Sequence, residues 1–326
     1  MLKRFQLVDG ALVASESEDA AVLLYANPDA AEREALRDRF QLDEHTLSSA
    51  LDPDEISRIE FGAGRMFLVW KRPTNYSGRD TFYFNVSSIG LLLLEERMVV
   101  IVDEDVPLLA RGRARPFLQR PLDVMLDMLL NTIQHYTEHL KVIKLIARDL
   151  QQKINQSMEN KHLIQMFNLG ESLIYYLNAI NSNGVVLARL RTHAEKTGLS
   201  PELLALLDDL VIENNQCYRQ AEIYSTVLSG LMDARGNLIN NNMNLLLKNL
   251  TIINVVFLPL NLIAGIGGMS EFSMMTKGLD WRIAYALFLL AMIAIGWGTA
   301  WMLWRLDFAK AEGFMRGKKP PAPKRR

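Results

Sequence analysis

Residues 249–270 and 283–304 contain no Asp, Glu, Lys or Arg, although those four types make up 22% of the chain. A helix needs about 20 predominantly apolar residues to cross the hydrocarbon core of a bilayer, and both stretches meet that length. Core helices of soluble proteins seldom stay uncharged for so long, so the two stretches read as membrane spans. Only the polar segment 271–282 separates them. That loop is too short to be a domain, and it makes the spans an antiparallel hairpin.

The charges that follow the second span set its orientation. Arg305, Lys310, Arg316, Lys318, Lys319, Lys324, Arg325 and Arg326 face only Asp307 and Glu312. An excess of Lys and Arg marks the cytoplasmic side. With two crossings the N-terminal part is expected there too, and 271–282 on the outside of an inner (plasma) membrane. Beside a membrane helix, the tail GKKPPAPKRR reads as an orientation and anionic-lipid signal, not as a nucleic-acid site. The first ten residues show neither an apolar core nor a small-residue cleavage site, so no signal peptide is expected. The lone Cys217 excludes an intrachain disulfide or thiolate cluster and fits a reducing compartment.

Ahead of the spans, residues 1–117 read as an α/β domain. FQLV and ALVA flank Asp9-Gly10 as a hairpin, AVLLYAN is a strand, and AAEREALRDRFQL and DEHTLSSAL are helices with Asp43 as a cap. IEFGAGRMFLVWK gives two strands around a Gly-rich turn, and two apolar runs, 86–94 and 98–102, complete the sheet. Residues 118–200 carry a helical pair, 122–158 and 161–195. Ser200-Pro201-Glu202 starts a third helix, since serine caps, proline suits the first position and glutamate favours the positive end of the dipole. Over 201–248 its 3,4-spaced seam runs through Leu203, Leu207, Leu210, Asn214, Cys217, Ala221, Tyr224, Leu228, Leu231, Arg235, Leu238, Asn242 and Leu245. The seam suits either the two preceding helices or sister copies. If this stalk helix continues to the end of the first span, it is on the order of 100 Å long.

Polar residues inside a span are costly unless they face water or a partner. At about 100° per residue, Asn244, Thr251, Asn254, Leu258, Asn261 and Gly265 fall in one arc of roughly 100°. Ile253, Val256, Phe257, Leu260 and Ala264 lie opposite. The second span offers Thr299 and tryptophans but no carboxylate, amide or basic group to receive those asparagines. Several copies around an axis would give the stripe a common lumen, with Leu258 as an apolar constriction. Pro259 frees the Val255 carbonyl, and Ala294 with Gly298 forms a small-residue pair suited to close helix approach.

The segment LTIINVVFLPLNLIAGIGGMS resembles the first-span signature of the CorA family of metal-ion transporters, which ends in Gly-Met-Asn. The order of segments resembles that family over nearly the whole chain. The resemblance implies a CorA-like funnel and a homopentamer whose stalk helix and first span line the pore. It places Asn244, Leu247, Thr251, Leu258, Asn261 and Gly265 on that pore, and Gly268, Met269 and Ser270 at its outer mouth. Serine stands where the family has asparagine and offers one hydroxyl on a shorter side chain. The zinc-transporting ZntB branch shares the scaffold, so magnesium, zinc, cobalt and nickel all remain open as cargo. Glu271, repeated around the ring, would draw cations to the entrance.

His135-Tyr136-Thr137-Glu138-His139 matches the H-x-x-E-H pattern in which two histidines one turn apart share zinc. A third ligand is not identifiable, and the structural face or a regulatory metal pair at His135 and His139 fits better than a peptidase. Asp43, Asp52, Asp54, Glu55, Asp103, Glu104 and Asp105 supply carboxylates for cation sensing or are solvated loop charges. With no Gly-rich phosphate loop, no G-x-S-x-G and no local triad, neither an enzyme nor an ATP-driven pump is expected, and no cofactor. The expected function is divalent-cation transport, the cations being cargo and also regulators; the alternative is a non-conducting scaffold or metal sensor with the same architecture.

Overall fold

The computed structural model describes residues 1–74, 82–104, 118–156, 160–278 and 280–316. They fall into two compact units, Met1–Asp233 and Ala234–Arg326.

The first unit is built on a seven-stranded sheet: β1 (Leu2–Val8), β2 (Ala11–Ala14), β3 (Val22–Ala26), β4 (Arg58–Gly62), β5 (Arg65–Pro73), β6 (Val86–Leu94) and β7 (Met98–Val102). Its order is β2-β1-β3-β7-β6-β5-β4. The β3–β7 pair, Val22 opposite Met98, is parallel, and the other pairs are antiparallel. Asp9 and Gly10 turn the first hairpin with φ of 48° and 74°, which suits a two-residue loop matched to strand twist.

Strand alternation sorts the side chains into two cores. Leu23, Tyr25, Phe67, Val69, Leu92, Val99 and Ile101 pack under α1 (Ala30–Phe40) and α2 (Glu44–Leu51). Asp29 closes a capping box with Glu32, and Asp43 accepts the Thr46 amide at 2.7 Å. Gly90 lets α2 sit close to the sheet, because an added Cβ there would lie 2.6 Å from the Ala50 Cβ. On the other face Val22, Leu24, Leu68, Trp70, Leu91 and Val100 meet α3 (Pro121–Gln156) and α4 (Asn160–Lys196). Burial on both faces explains why β7 is an unbroken apolar run.

α5 spans Pro201–Gly267, 67 residues, or about 100 Å at 1.5 Å per residue. Gly230, Gly236 and Pro259 all lie within it without ending it. Its seam resolves one of the alternatives left by the sequence. Leu203, Leu207, Leu210, Asn214, Cys217, Ala221 and Leu228 are buried, and the apolar ones join the core of α3 and α4. Further on, Leu238 and Leu245 are exposed.

The second unit holds the rest of α5, the short α6 (Ser270–Met275) and α7 (Trp281–Arg316). α5 and α7 each contain a window long and apolar enough to cross a membrane, and no residue of either window is buried. Ile252, Val256, Pro259, Leu260, Ile263 and Gly267 of α5 are half-buried, as are Ala284, Phe288, Met292, Gly296 and Thr299 of α7. The Phe288 ring fills the space where a Gly267 side chain would be, and an added Cβ at Gly296 would lie 3.3 Å from Leu260. The close approach therefore uses Gly267 and Gly296. The expected pair Ala294 and Gly298 does not make it, since Gly298 has nothing within 4 Å and Ala294 is exposed. α7 also continues past 304, the end expected for the second span.

Candidate functional site

Asn244, Leu247, Thr251, Asn254, Leu258, Asn261 and Gly265 all lie on α5 and are exposed in the single chain. The six half-buried α5 positions centre about 160° away from the centre of that stripe, at 100° per residue. The polar side is therefore almost diametrically opposite the side that packs on α7. Asn244, Asn254 and Asn261 have no hydrogen-bonding partner among the described residues, whereas Thr251 donates to the Leu247 carbonyl at 2.8 Å. Such back-bonding satisfies a hydroxyl within its own helix. An added Cβ at Gly265 would meet nothing within 4 Å.

Three residues of the same arc were passed over by the sequence reading. Asn240 extends the stripe, Met243 shares the angle of Asn261 and Leu262 that of Asn244, all exposed; counting 100° steps from Asn244 in both directions finds them. Leu262 makes the stripe less uniformly polar than its asparagines suggest.

α5 ends at Gly267. The Gly268 amide donates to the Ala264 and Gly265 carbonyls at 3.1 and 3.2 Å, and Met269 donates to Ile266 at 3.1 Å. Ser270 then opens α6, and both Met269 and Ser270 are exposed. The Glu271 side chain lies outside the described residues, as do Asp105, residues 317–326 and the other tail side chains after Arg305. At the ends of the second apolar stretch, the Arg282 guanidinium lies 5.4 Å from the Trp281 ring and that of Arg305 5.2 Å from Trp301. Paired aromatic and basic groups suit the two interfaces of a bilayer.

The histidine pair sits elsewhere. His135 and His139 rings are 4.3 Å apart on α3, but His139 is 6% exposed and its Nδ1 is hydrogen-bonded to the Tyr176 hydroxyl at 2.6 Å. Burial, with a smaller contribution from His135, lowers the His139 pKa to about 4. Burial also lowers that of His135. Glu138 is exposed. Among the described residues no group of three or more His, Cys, Asp or Glu side chains could hold a metal ion. Of the two, His139 packs in the core against Phe84 and Tyr176, while His135 is half-buried beside it.

The acidic residues also have local work. Asp43 caps α2, and its hydrogen bonds to Thr46 lower its pKa. Asp52 accepts the Asp54 amide at 2.9 Å, and Glu55 pairs with Arg58. Asp103 and Glu104 pair with the buried Arg72 at 3.3 and 2.9 Å.

A family model described as CorA-like Mg2+ transporter protein matches residues 23–305. The chain is 24% identical over 233 residues to the cobalt/magnesium transport protein CorA of Methanocaldococcus jannaschii, covering 69% of this chain and 71% of that one. The solved complete structure of the CorA magnesium transporter from that organism is similar at a TM-score of 0.70 and 18% identity, over 92% of this chain and 96% of that one. The full-length CmaX protein is similar at a TM-score of 0.71 and 13% identity, over 94% and 97%. These structural likenesses confirm the fold expected from the sequence: an N-terminal α/β domain, long helices and two apolar C-terminal helices.

Proposed function

The chain belongs to the CorA-like Mg2+ transporter family, and from that premise we propose that it conducts divalent cations through a homopentameric pore lined by the polar side of α5. The position of the stripe carries this reading. An amide in hydrocarbon costs free energy unless water or another polar group receives it. The chain's own second span packs on the opposite side of α5 and leaves Asn244, Asn254 and Asn261 to another surface. Identical copies around an axis supply that surface and the water together.

In such a ring, neutral amide oxygens hydrogen-bond the hydration water of a hard cation without trapping it as carboxylates would. Leu258 and Leu262 form apolar girdles that gate by dewetting. Gly268, Met269, Ser270 and Glu271 form the outer mouth, where the serine ring presents shorter oxygen ligands than asparagine would. The relative from M. jannaschii is named for cobalt and magnesium transport, which supports a cargo within the magnesium, cobalt, zinc and nickel class. Both chain ends face the cytoplasm of an inner membrane in this reading, and no catalysis is involved.

The test is metal uptake into liposomes containing the full-length protein, across magnesium, cobalt, zinc and nickel, with and without a pH gradient. Uptake is expected for at least one metal, and Asn261→Trp should lower it at least about tenfold by plugging the lumen. An intact assembly that passes none of the four metals would contradict transport and leave the scaffold or sensor role.

A further inference from the structure

Within the first unit a cavity of about 240 Å³ opens between α3 and α5. Ile143, Leu173 and Leu228 are buried at its base, and Val227 of α5 forms an outer wall that is 56% exposed. Lys144 and Arg148, one helical turn apart on α3, also line it and are exposed. The Lys144 ammonium lies 5.8 Å from the centre of the Tyr224 ring, and Arg148 has no ion pair among the described residues. Among the described residues no carboxylate lines the cavity.

We propose that this cleft binds an amphipathic anion, a carboxylate or phosphate head on one short acyl chain. The two halves of the cleft ask for different chemistry. Its apolar base gains about 25 cal/mol for each Å² of hydrocarbon it covers, and the two cations at its rim, unopposed by any acid in the lining, receive a negative head. A cation or a neutral polar solute satisfies neither half. The volume lies below the roughly 300–1,000 Å³ of pockets for drug-sized ligands, which limits the chain to a short one. The site lies in Met1–Asp233 and its occupancy is read by binding, so it stands or falls apart from the pore. α5 is nevertheless a wall of the cleft and carries the stripe further along, so an occupant bears on the helix that would line the conduit.

Octanoate is the probe. Full-length protein in phosphatidylcholine nanodiscs is titrated by calorimetry against empty discs, with octanol and inorganic phosphate supplying the chain and the charge separately. Saturable octanoate binding is expected, with octanol and phosphate at least about tenfold weaker. Lys144→Gln with Arg148→Gln should weaken octanoate at least about tenfold, and Val227→Trp should abolish binding by filling the cleft. Both glutamine changes are at exposed positions, so they carry the test if the tryptophan variant loses its helical circular dichroism. Repeating the titration with phosphatidylglycerol in the discs separates the sources. Competition there would show that a two-chain bilayer lipid enters and would overturn the single short chain, and unchanged affinity supports a free amphiphile.

No saturable octanoate binding, equal affinity for octanol, or binding indifferent to the glutamine changes would each overturn the proposal. A Val227→Trp variant that breaks the assembly, in a protein that never bound octanoate, would make this face a contact between copies instead.

Discussion

Asn183 and Asn261 show how one residue type serves the two units in opposite ways. Asn183, on α4, is fully buried; its Oδ1 accepts from the Lys71 amide at 3.0 Å and the Ser57 hydroxyl at 2.7 Å, and its Nδ2 donates to the Lys71 carbonyl at 2.8 Å. The pairing of β4 with β5 ends at Arg58 and Val69, so this side chain supplies the backbone partners the missing strand would have given. Asn261 is exposed on α5 and meets no partner among the described residues. A buried amide fixes a strand edge, while an exposed one in an apolar helix leaves a bond to be made outside the chain.

Three tests would break or sharpen that contrast. The largest effect is expected for Asn183→Leu, which strands the Lys71 amide and carbonyl and the Ser57 hydroxyl and should cost about 4 kcal/mol. Asn254→Leu should leave the stability of the first unit within about 0.5 kcal/mol. Chemical denaturation followed by circular dichroism compares the two, and equal losses would erase the distinction.

The second concerns the buried polar pair His139 and Tyr176. The folded pKa of His139, about 4, lies below an unfolded value of about 6.5. The unfolded chain therefore takes up the proton first as pH falls, and stability drops between about pH 6.5 and pH 4. The loss from this group is about 3 kcal/mol across that window. His139→Phe should flatten the fall in melting temperature relative to the parent protein over the same range, and an unchanged slope would show that another group dominates.

The smallest expected effect separates Gly267 from Gly298. Gly267→Leu must displace the Phe288 ring and should cost about 1–2 kcal/mol of hairpin stability, whereas Gly298→Leu meets open space. Thermal melting of the reconstituted protein distinguishes them, and equal melting temperatures would show that the hairpin packs through other residues.

What could be read from the sequence was what depends on neighbours along the chain. The Asp9-Gly10 turn, the runs that became β6 and β7, the Asp43 cap and the seam through Leu203 and Leu228 all follow from spacings of a few residues. The polar stripe was legible for the same reason, since helical angles fix which side chains share a side. Asn183 was not legible because its partner at Lys71 is 112 positions away and no local pattern marks it. His135 and His139 matched a metal-binding spacing, but Tyr176, which holds His139, lies 37 residues on. On α7 several small residues could have met α5, and the position of Phe288 against Gly267 selects the register that brings Gly296 to Leu260. Choosing among similar small residues needs the partner helix in place.

Accessibility of single cysteines tests most directly whether the amide side of α5 faces water. The native Cys217 is 2% exposed and should stay silent. In reconstituted protein, a charged thiol reagent should modify Asn254→Cys and Asn261→Cys and block metal uptake, while Val256→Cys and Leu260→Cys remain unreactive. Reaction at Val256→Cys and Leu260→Cys, with Asn254→Cys and Asn261→Cys protected, would contradict the account.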